Sequence, residues 1–556
     1  MDLIYVTYNS SKWIDSCFAS VINSNFDHTK INIYVVDNAS TDDTLAALEK
    51  ARAAYGPQVN HFEVIASDKN LGFGRGNNLG FSKGSSDIAC FLNIDTELCA
   101  DTLQKLADDI AASPEDVALW ELRQFPYEHP KLYDPLTMEQ KWSSGAAFAV
   151  RRTVFAQLNG FDDHIFMYAE DVDLSWRLRS FGYKIRYVPK AVIYHYSYQE
   201  AGEVKPTQYI NSIINNLLLR YRFGSLRKIL GWHKIFLKIL KNPRPFPRAG
   251  KMLLRRYLWH FTQIPHYLNR RCVGTCKDFT PDFLGLDYTI NRMGAFYVNE
   301  LPKTRPLVSI LVRTCGRPDV LRETLISIRN QTYPHIETVV VEDGKPVSQT
   351  MIQTEFSDMN ILYHATGEKV GRSAAGNLAM EMAHGQYLNF LDDDDLFFAD
   401  HVEVLVHTLE KGSQRAAYAL GFETPIEVKS RSPYVYEVKD YLSTHTQSFS
   451  RGELYYHNYI PIQCIMFEKS LFEEYGGLDI TLDALEDWDL WVRYSLHTDF
   501  AHVAKTTSLY RTPANRQADA ARQKALDEAL SVVREKHKSY IPQLSAYDIG
   551  VLYHHM

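Results

Sequence analysis

The stretch FAVRRTVFAQLNGFD at residues 148–162 is matched without gaps by IMFEKSLFEEYGGLD at residues 465–479. Soon after each copy comes the pattern Glu-Asp-x-Asp-Leu-x-x-Arg, at residues 170–177 and again at 486–493. Five identities at fixed spacing would arise by chance about once in a few million positions, if ~20 residue types were equally frequent. The sequence therefore predicts that one domain occurs twice.

Apolar runs rich in β-branched residues alternate with helical patterns in both halves. Residues 31–36 and 88–92 are typical of strands, a helical pattern lies between them, and the same rhythm restarts at residues 307–312. Such alternation indicates an α/β fold with a mainly parallel sheet. We expect two α/β domains at residues 1–205 and 301–515, a basic helical connector at 206–300, and a C-terminal helical tail at 516–556.

Length and composition agree with a globular protein of two large domains. The chain has 556 residues, of which 45% are hydrophobic and 23% charged. Its seven cysteines show no spacing of a disulfide framework or a zinc site, which favours a reducing compartment. The N-terminus lacks a signal-peptide pattern, and no apolar run reaches the ~20 residues needed to span a bilayer. We expect a cytoplasmic protein, with contact to the inner face of the cytoplasmic membrane as a possibility.

Charge is distributed unevenly along the chain. The net charge is −7, yet the stretch between Glu203 and Asp278 contains 16 Lys and Arg and no acidic residue. Basic amphipathic helices are typical of segments that lie on anionic membrane surfaces. A connector that packs its apolar side between two acidic domains fits the pattern equally well. Nucleic-acid binding is not expected, because no recognition motif accompanies the charge.

Each half places an acidic residue at the end of an apolar strand, Asp37 in the first and Asp343 in the second. Open α/β sheets bind ligands beyond the carboxyl ends of their strands, although such a residue can also simply open a turn. Glycine-containing loops follow at residues 70–78 and 370–377. Glycines allow the backbone to approach a phosphate closely, and Arg75 or Arg372 could pair with its charge. Asn77 and Asn377 of the same loops are further candidate residues for binding such a ligand. The glycine spacing excludes the dinucleotide-binding fingerprint.

Acidic clusters follow a buried-looking strand in both halves, FLNIDTE at residues 91–97 and FLDDDD at 390–395. Crowded carboxylates repel one another unless a cation or a donor neutralises them, and oxygen ligands suit Mg²⁺ or Mn²⁺. The metal prediction is weaker for the first half, where Asn93 replaces one carboxylate. His195 ends a later strand and could add an imidazole ligand, although a strand-end histidine is more often structural.

The Glu-Asp pairs place Asp171 and Asp487 at the start of helical patterns. An acid in the first helical turn can simply cap the helix or interact with its dipole. Beside a phosphate and metal site, the same carboxylate can accept a proton from an attacking hydroxyl.

Taken in order, these motifs resemble glycosyltransferase family 2, the inverting enzymes of the Rossmann-like GT-A fold. The resemblance covers roughly residues 1–198 and 307–511, and the first half is similar to bacterial rhamnosyltransferases and galactofuranosyltransferases. It implies that Asp37 and Asp343 bind the nucleobase and that Asp171 and Asp487 are catalytic bases. The metal ligands that it implies are Asn93, Asp95, His195, Asp392, Asp394 and Asp395. The second half departs from the family at residues 508–511, which contain no histidine.

The resemblance implies a bifunctional enzyme. Each half would transfer a sugar from a dTDP- or UDP-sugar, with Mn²⁺ or Mg²⁺, to a growing bacterial surface glycan of the O-antigen or capsule type, with the acceptor linked to a lipid. The alternative is one catalytic half with the other serving as a glycan-binding or scaffolding module. A sugar nucleotidyltransferase is less consistent, because the loop at residues 7–10 lacks a basic glycine-rich triphosphate-binding sequence.

Overall fold

The computed structural model describes residues 1–196, 205–242, 245–272, 279–281, 283, 292–482 and 484–539. The chain divides into two compact units, Met1–Asn299 and Glu300–Met556. Each unit is built on its own nine-stranded sheet.

The first unit contains nine strands and ten helices among its described residues. The strands are β1 (Asp2–Thr7), β2 (Asn32–Asp37), β3 (His61–Ala66), β4 (Ile88–Asn93), β5 (Thr96–Leu98), β6 (Val117–Phe125), β7 (Glu139–Gln140), β8 (Ala147–Arg151) and β9 (Lys184–His195). The helices are α1 (Ile14–Ile22), α2 (Thr44–Tyr55), α3 (Phe73–Phe81), α4 (Thr102–Ala112), α5 (Arg152–Gln157), α6 (Glu170–Ser180), α7 (Pro206–Phe223), α8 (Leu226–Lys241), α9 (Ala249–His260) and α10 (Ile264–Asn269).

The second unit repeats this element order. Its strands are β10 (Val308–Thr314), β11 (Ile336–Glu342), β12 (Ile361–Ala365), β13 (Tyr387–Phe390), β14 (Leu396–Phe397), β15 (Ala416–Arg431), β16 (Tyr434–Val438), β17 (Ile465–Glu468) and β18 (Phe500–Pro513). Its helices are α11 (Pro318–Arg329), α12 (Gln349–Glu355), α13 (Arg372–Met382), α14 (His401–Lys411), α15 (Arg451–Tyr456), α16 (Lys469–Tyr475), α17 (Glu486–Ser495) and α18 (Arg516–His537).

The two sheets have the same strand order. The first runs β3-β2-β1-β4-β8-β6-β9-β5, and the second runs β12-β11-β10-β13-β17-β15-β18-β14. The four strands at the beginning of each order are parallel, and β8 and β17 are antiparallel to both of their neighbours. The mainly parallel α/β fold and the duplication predicted from the sequence are both confirmed.

Both faces of the first sheet are covered, which explains why β1 is continuously apolar. Leu3 and Tyr5 belong to one hydrophobic core with Phe18 of α1, whereas Ile4 belongs to a second core with Leu174 of α6. Successive residues of a strand point to opposite faces, so both halves of this alternation are buried. The carboxyl ends of β1, β2 and β4 then meet at one edge of the sheet.

Helix α7 of the basic stretch is part of the first unit rather than a free connector. Its Arg222 is 1% exposed and forms ion pairs with Asp162 and Asp173, which are also buried. In the second unit, Lys536 of α18 takes this role, with its Nζ 2.6 Å from Asp479 and 2.9 Å from Asp489. Each sheet is therefore followed by a helix that brings a cation to the same pair of aspartates of the repeat. Of the predicted tail, residues 540–556 lie outside the described residues.

Candidate active sites

Three predicted metal ligands of the first unit come together at the carboxyl edge of its sheet. The Nε2 atom of His195 lies 3.4 Å from the Nδ2 atom of Asn93 and 3.5 Å from an Oδ1 atom of Asp95. The strand pairing brings them there, because β4 ends at Asn93 and β9 ends at His195 opposite Thr96. The sequence motif FLNIDTE and the isolated histidine thus form one cluster.

The orientation of His195 is fixed from behind. Its Nδ1 atom lies 3.0 Å from the amide Oε1 of Gln124, which can only accept a hydrogen bond, so Nδ1 carries a proton. The imidazolium form donates from Nε2 towards Asp95, and the neutral form presents a lone pair to the same space. Burial alone would raise the pKa of Asp95, but the hydrogen bond and charge of His195 outweigh it and lower that pKa.

Asp171 begins helix α6 and is held in a defined position. Its Oδ2 atom accepts a 2.8 Å hydrogen bond from the amide of Gly145, and Oδ1 accepts another 2.8 Å bond from Val172. Burial raises the pKa of Asp171, whereas these two backbone donors and the charge of Lys131 oppose the increase. A raised pKa brings a carboxylate closer to what a general base needs near neutral pH.

One segment, formed by Gly145 and Ala146, links the Asp171 carboxylate to the cluster around His195. The residue after Gly145 is Ala146, whose carbonyl accepts a 2.9 Å hydrogen bond from the amide of Asn93. The side chain of the candidate base Asp171 and the backbone of the candidate ligand Asn93 are therefore hydrogen-bonded to consecutive residues, Gly145 and Ala146, directly before β8. This arrangement brings together four residues predicted from separate motifs.

The residues of the first unit that were predicted to bind the nucleotide sugar differ in how accessible their side chains are. Asp37 is 3% exposed and accepts hydrogen bonds from Thr7 and Ser40. Arg75 donates from Nε to the carbonyl of Leu71 at 2.8 Å and lines a cavity that is described below. Asn77 is 1% exposed, and its Nδ2 donates to the carbonyl of Phe73 in its own helix. The Asn77 amide therefore faces the protein interior.

In the second unit, two arginines form ion pairs with the acidic cluster. Arg313 forms two 2.8 Å hydrogen bonds with Asp392 and a 3.0 Å bond with Glu486, while Arg317 pairs with Asp393 and Asp394. These two guanidinium groups offset part of the negative charge that predicted a metal from the sequence, and the assignment of Asp392, Asp394 and Asp395 as metal ligands stays a prediction. The loop also turns Asp395 inward, where burial raises its pKa well above the usual range.

In the second unit, a tyrosine occupies the position that corresponds to His195, the candidate metal ligand of the first unit. Tyr194 pairs with Phe125 and Leu509 pairs with Phe422, so Tyr510 is the counterpart of His195. Its hydroxyl donates to Glu423 at 3.2 Å. Among the described residues, no group of three or more His, Cys, Asp and Glu side chains is arranged to hold a metal ion. The cluster in the first unit has two such residues and Asn93.

The second candidate base closely resembles the first. Asp487 begins α17 and accepts hydrogen bonds from Trp488 N at 2.8 Å and from Asn458 Nδ2 at 3.0 Å. Burial and the charge of Glu486 raise its pKa to about 7. Arg372, whose side chain is 60% exposed, lies 4.0 Å from Glu486 at the start of α13. It is available to a ligand at this edge.

For two residues, the structure shifts the correspondence between the two halves by one position from the one predicted by the sequence. Thr7 pairs with Asp37 and Thr314 pairs with Glu342, so Glu342, not Asp343, is the counterpart of Asp37. Asp343 instead accepts hydrogen bonds from the loop amides of Val370 and Gly371.

Asn377 corresponds to Asn78 rather than Asn77. Asn377 exchanges two hydrogen bonds with the backbone of Leu478, as Asn78 does with Phe161. The amide of Asn377 is thereby engaged with backbone.

The sequence reading missed Gln124, Arg313 and Arg317. Each is a polar residue at or just beyond the end of a strand, and their periodicity alone gives no sign of a partner. Arg313 in LVRTCGRP could have been noticed, because an arginine in a buried strand requires an acidic partner. The partner lies 79 residues away in sequence.

The fold and the two acidic edges are typical of α/β enzymes, which bind their ligands at the carboxyl ends of parallel strands. The family model described as glycosyl transferase family 2 matches residues 2–174 and 309–476, more than half of the chain. The chain belongs to glycosyl transferase family 2, and it contains two copies of the family's domain.

Relatives match parts of the chain. An uncharacterized glycosyltransferase of Rickettsia typhi is 28% identical over 34% of this chain, which spans 58% of that relative's length. The N-acetylglucosaminyl-diphospho-decaprenol L-rhamnosyltransferase of Mycobacterium tuberculosis is 27% identical over 36% of this chain and 78% of its own length. A solved mannosyltransferase from Pyrobaculum calidifontis, in complex with GDP-Man and Mn²⁺, is 19% identical with a TM-score of 0.32 and covers 48% of this chain and 72% of its own.

Proposed function

We propose that the first unit transfers a sugar from a nucleotide-sugar donor to a hydroxyl of a glycan acceptor with inversion. The observation that carries this proposal is that Gly145 donates a hydrogen bond to the Asp171 carboxylate while the next residue, Ala146, accepts one from the backbone N–H of Asn93. Asp171 removes the proton of the acceptor hydroxyl, whose oxygen forms the new glycosidic bond as the bond to the nucleoside diphosphate breaks. Asp37 and the backbone of the glycine loop at residues 70–78 bind the donor nucleotide, whereas the side chain of Arg75 points into a separate cavity.

The residues at the sheet edge fit a divalent cation. Asp95 supplies a carboxylate, His195 an imidazole nitrogen and Asn93 an amide group, and Gln124 holds the imidazole ring from the other side. A small divalent ion commonly uses one or two protein ligands and completes its shell with phosphate oxygens and water. When bound, Mn²⁺ or Mg²⁺ would stabilise the negative charge of the departing diphosphate.

The first prediction concerns this cation. Replacing Gln124 with Leu frees the His195 ring, so we expect the Mn²⁺ concentration for half-maximal transfer to rise by about 10–100-fold. The measurement is the initial rate of transfer against Mn²⁺ concentration, with Gln104→Leu on the exposed side of α4 as the matched control. Full activity of the first unit in excess chelator, or an unchanged Mn²⁺ dependence in Gln124→Leu, would refute the assignment.

We propose that the second unit catalyses a second transfer, with Asp487 as its base. Its carboxylate has the same backbone contact as Asp171 and a pKa of about 7, which suits a base that works near neutral pH. The guanidinium groups of Arg313 and Arg317 lie at the acidic edge, so this unit depends less on a metal than the first. Asp394 is the candidate ligand there, with a side chain that is 38% exposed. The alternative remains a glycan-binding module.

A lipid-linked acceptor is favoured by the surface of helices α8 and α9. Leu230 and Leu237 of α8 and Leu254 and Leu258 of α9 are 48–61% exposed. Exposed lysines flank them, and Ile229, Trp232 and Phe236 on the opposite side of α8 are buried. We call these four leucines, together with Lys234 and Lys238, the basic apolar face. In the described residues, no helix is long and apolar enough to cross a bilayer.

Such a face suits an anionic membrane surface, where the lysines meet acidic headgroups and the leucines enter the interface. The acceptor would be a glycan on a lipid carrier, and the product would be a bacterial surface glycan.

The second prediction tests the basic apolar face. Each lysine contributes about 1 kcal/mol near an anionic surface, so Lys234→Ala with Lys238→Ala should weaken vesicle binding roughly 30-fold. Co-sedimentation with phosphatidylglycerol vesicles measures this binding. The matched control is Lys524→Ala with Lys538→Ala, which removes one exposed lysine from α18 and one directly after it. Binding should also weaken with added salt. Equal binding to neutral and anionic vesicles, or none to either, would show that the face does not serve a membrane.

A further inference from the structure

The first unit contains a cavity beside the donor loop that none of the predicted motifs explains. Its volume is about 680 Å³, and it lies between the start of α3, the loop before α6 and helices α7 and α9. Its walls include Arg75, Phe166, Thr207, Asn211, Arg256 and Trp259. The helices of the basic stretch thus form one side of a cavity whose other side is the core of the transferase domain.

Two arginines in this cavity have donors without acceptors. Arg75 uses Nε for the Leu71 carbonyl, and its terminal amino groups have no partner among the described residues. The Nε atom of Arg256 is buried and also unpartnered within that part of the chain, and its guanidinium lies 3.5 Å from the Trp259 ring centroid. A buried donor without a partner, such as Nε of Arg256, is costly, and the planar guanidinium groups of both arginines match phosphate oxygens well. Asp163 also lines the cavity, which leaves an excess of one positive charge from these three side chains.

Hydrogen bonds join the segment that lines this cavity to helix α3 of the glycine loop and to the residues just before the proposed base Asp171. The carbonyl of Phe166 accepts a 2.9 Å hydrogen bond from Phe73 at the start of α3. Asn215 of α7 donates to the carbonyls of Met167 and Tyr168, just before the helix that carries Asp171. A ligand in this cavity therefore lies next to the segment that positions the proposed base.

We propose that Arg75 and Arg256 bind a phosphate or diphosphate group of the acceptor substrate, with Phe166 and Trp259 packing against its adjacent sugar or lipid. This inference rests on the proposed transfer reaction and specifies the acceptor that it uses. The aromatic walls suit the apolar faces of a sugar ring or the first carbons of a lipid. Because α9 also presents the basic apolar face, a lipid attached to that phosphate has a short route to the membrane.

The test compares two synthetic acceptors with the same sugar, one on a short alkyl diphosphate and one on a short alkyl ether, without vesicles. Arg256→Ala should lower kcat/KM for the diphosphate acceptor about 10–100-fold, since it removes a charge-assisted contact. The ether acceptor and the KM for the donor should change little. Arg255→Ala, which removes an exposed arginine from the adjacent position of α9, is the matched control.

An equal loss with both acceptors, or a change in donor KM alone, would overturn the acceptor assignment. Calorimetry with the alkyl diphosphate alone separates this inference from the proposed reaction. Binding that is weakened in Arg256→Ala but not in Arg255→Ala supports the site even if neither acceptor is glycosylated. Equal binding by all three proteins, or no binding by the wild type, refutes it.

Discussion

Asp171→Asn is expected to lower the first unit's transfer rate by about 10²–10⁴-fold, the usual contribution of a general base. The substitution keeps the shape of the side chain and removes the group that accepts the proton. Its neighbour provides a control, because burial and the charge of Asp171 raise the pKa of Glu170 well above its usual value. A raised pKa favours the neutral carboxyl group, which Gln resembles in shape and hydrogen bonding, so Glu170→Gln should change the rate little.

The pH dependence follows from the direction of the pKa shifts. A base works only when deprotonated, so the first transfer should slow as pH falls through the raised pKa of Asp171. The second should lose activity below about pH 7, where Asp487 becomes protonated. Initial rates of nucleoside diphosphate release against pH measure both. An Asp171→Asn enzyme that retains the wild-type rate and pH profile would show that this carboxylate is not the base.

Arg222→Met should destabilise the first unit by about 3–5 kcal/mol, which is typical when one partner of a buried ion pair is removed. Arg222 is 1% exposed between Asp162 and Asp173, whose own exposures are 6% and 0%. Removing it leaves two buried carboxylates that keep ion pairs with Arg177 and His266 among the described residues. Burial opposes ionisation of Asp162, but the Arg222 charge outweighs it and lowers the pKa of that carboxyl.

The free energy of unfolding is measured by urea denaturation, followed with a spectroscopic probe in the first unit. Arg227→Met, an exposed arginine one helix later, is the control and should change stability by less than about 0.5 kcal/mol. A loss below about 1 kcal/mol in Arg222→Met would mean that α7 is not clamped to the domain by this ion pair. It would also favour the view of the basic stretch as a separate connector.

The central strands could be predicted from the sequence because their apolar runs are local. The expected strands at residues 31–36 and 88–92 appear as β2 and β4, and the order of motifs in the two halves predicted the duplication. The place of α7 could not be predicted in this way. Its amphipathic pattern shows that one side is buried, but not that Arg222 reaches carboxylates 49 and 60 residues earlier.

The candidate sites show the same division. Asn93, Asp95 and His195 could be named together because of the family resemblance, since a strand-end position alone did not distinguish His195 from a structural histidine. The asparagines of the glycine loops could not be resolved, because a one-residue shift turns a side chain by about 100° around a helix. Arg313 was missed for another reason: its effect is to offset part of the charge of the cluster that had suggested a metal, and only the folded chain shows that contact.

The central claim, that both units catalyse a transfer, is tested most directly by the mass of the product. A defined acceptor is incubated with a mixture of nucleotide sugars and with wild type, Asp171→Asn or Asp487→Asn, and the products are resolved by mass spectrometry. We expect two added sugars with the wild type, none with one variant and a single one with the other. A wild-type product from either variant would contradict the claim and leave that unit as a binding module.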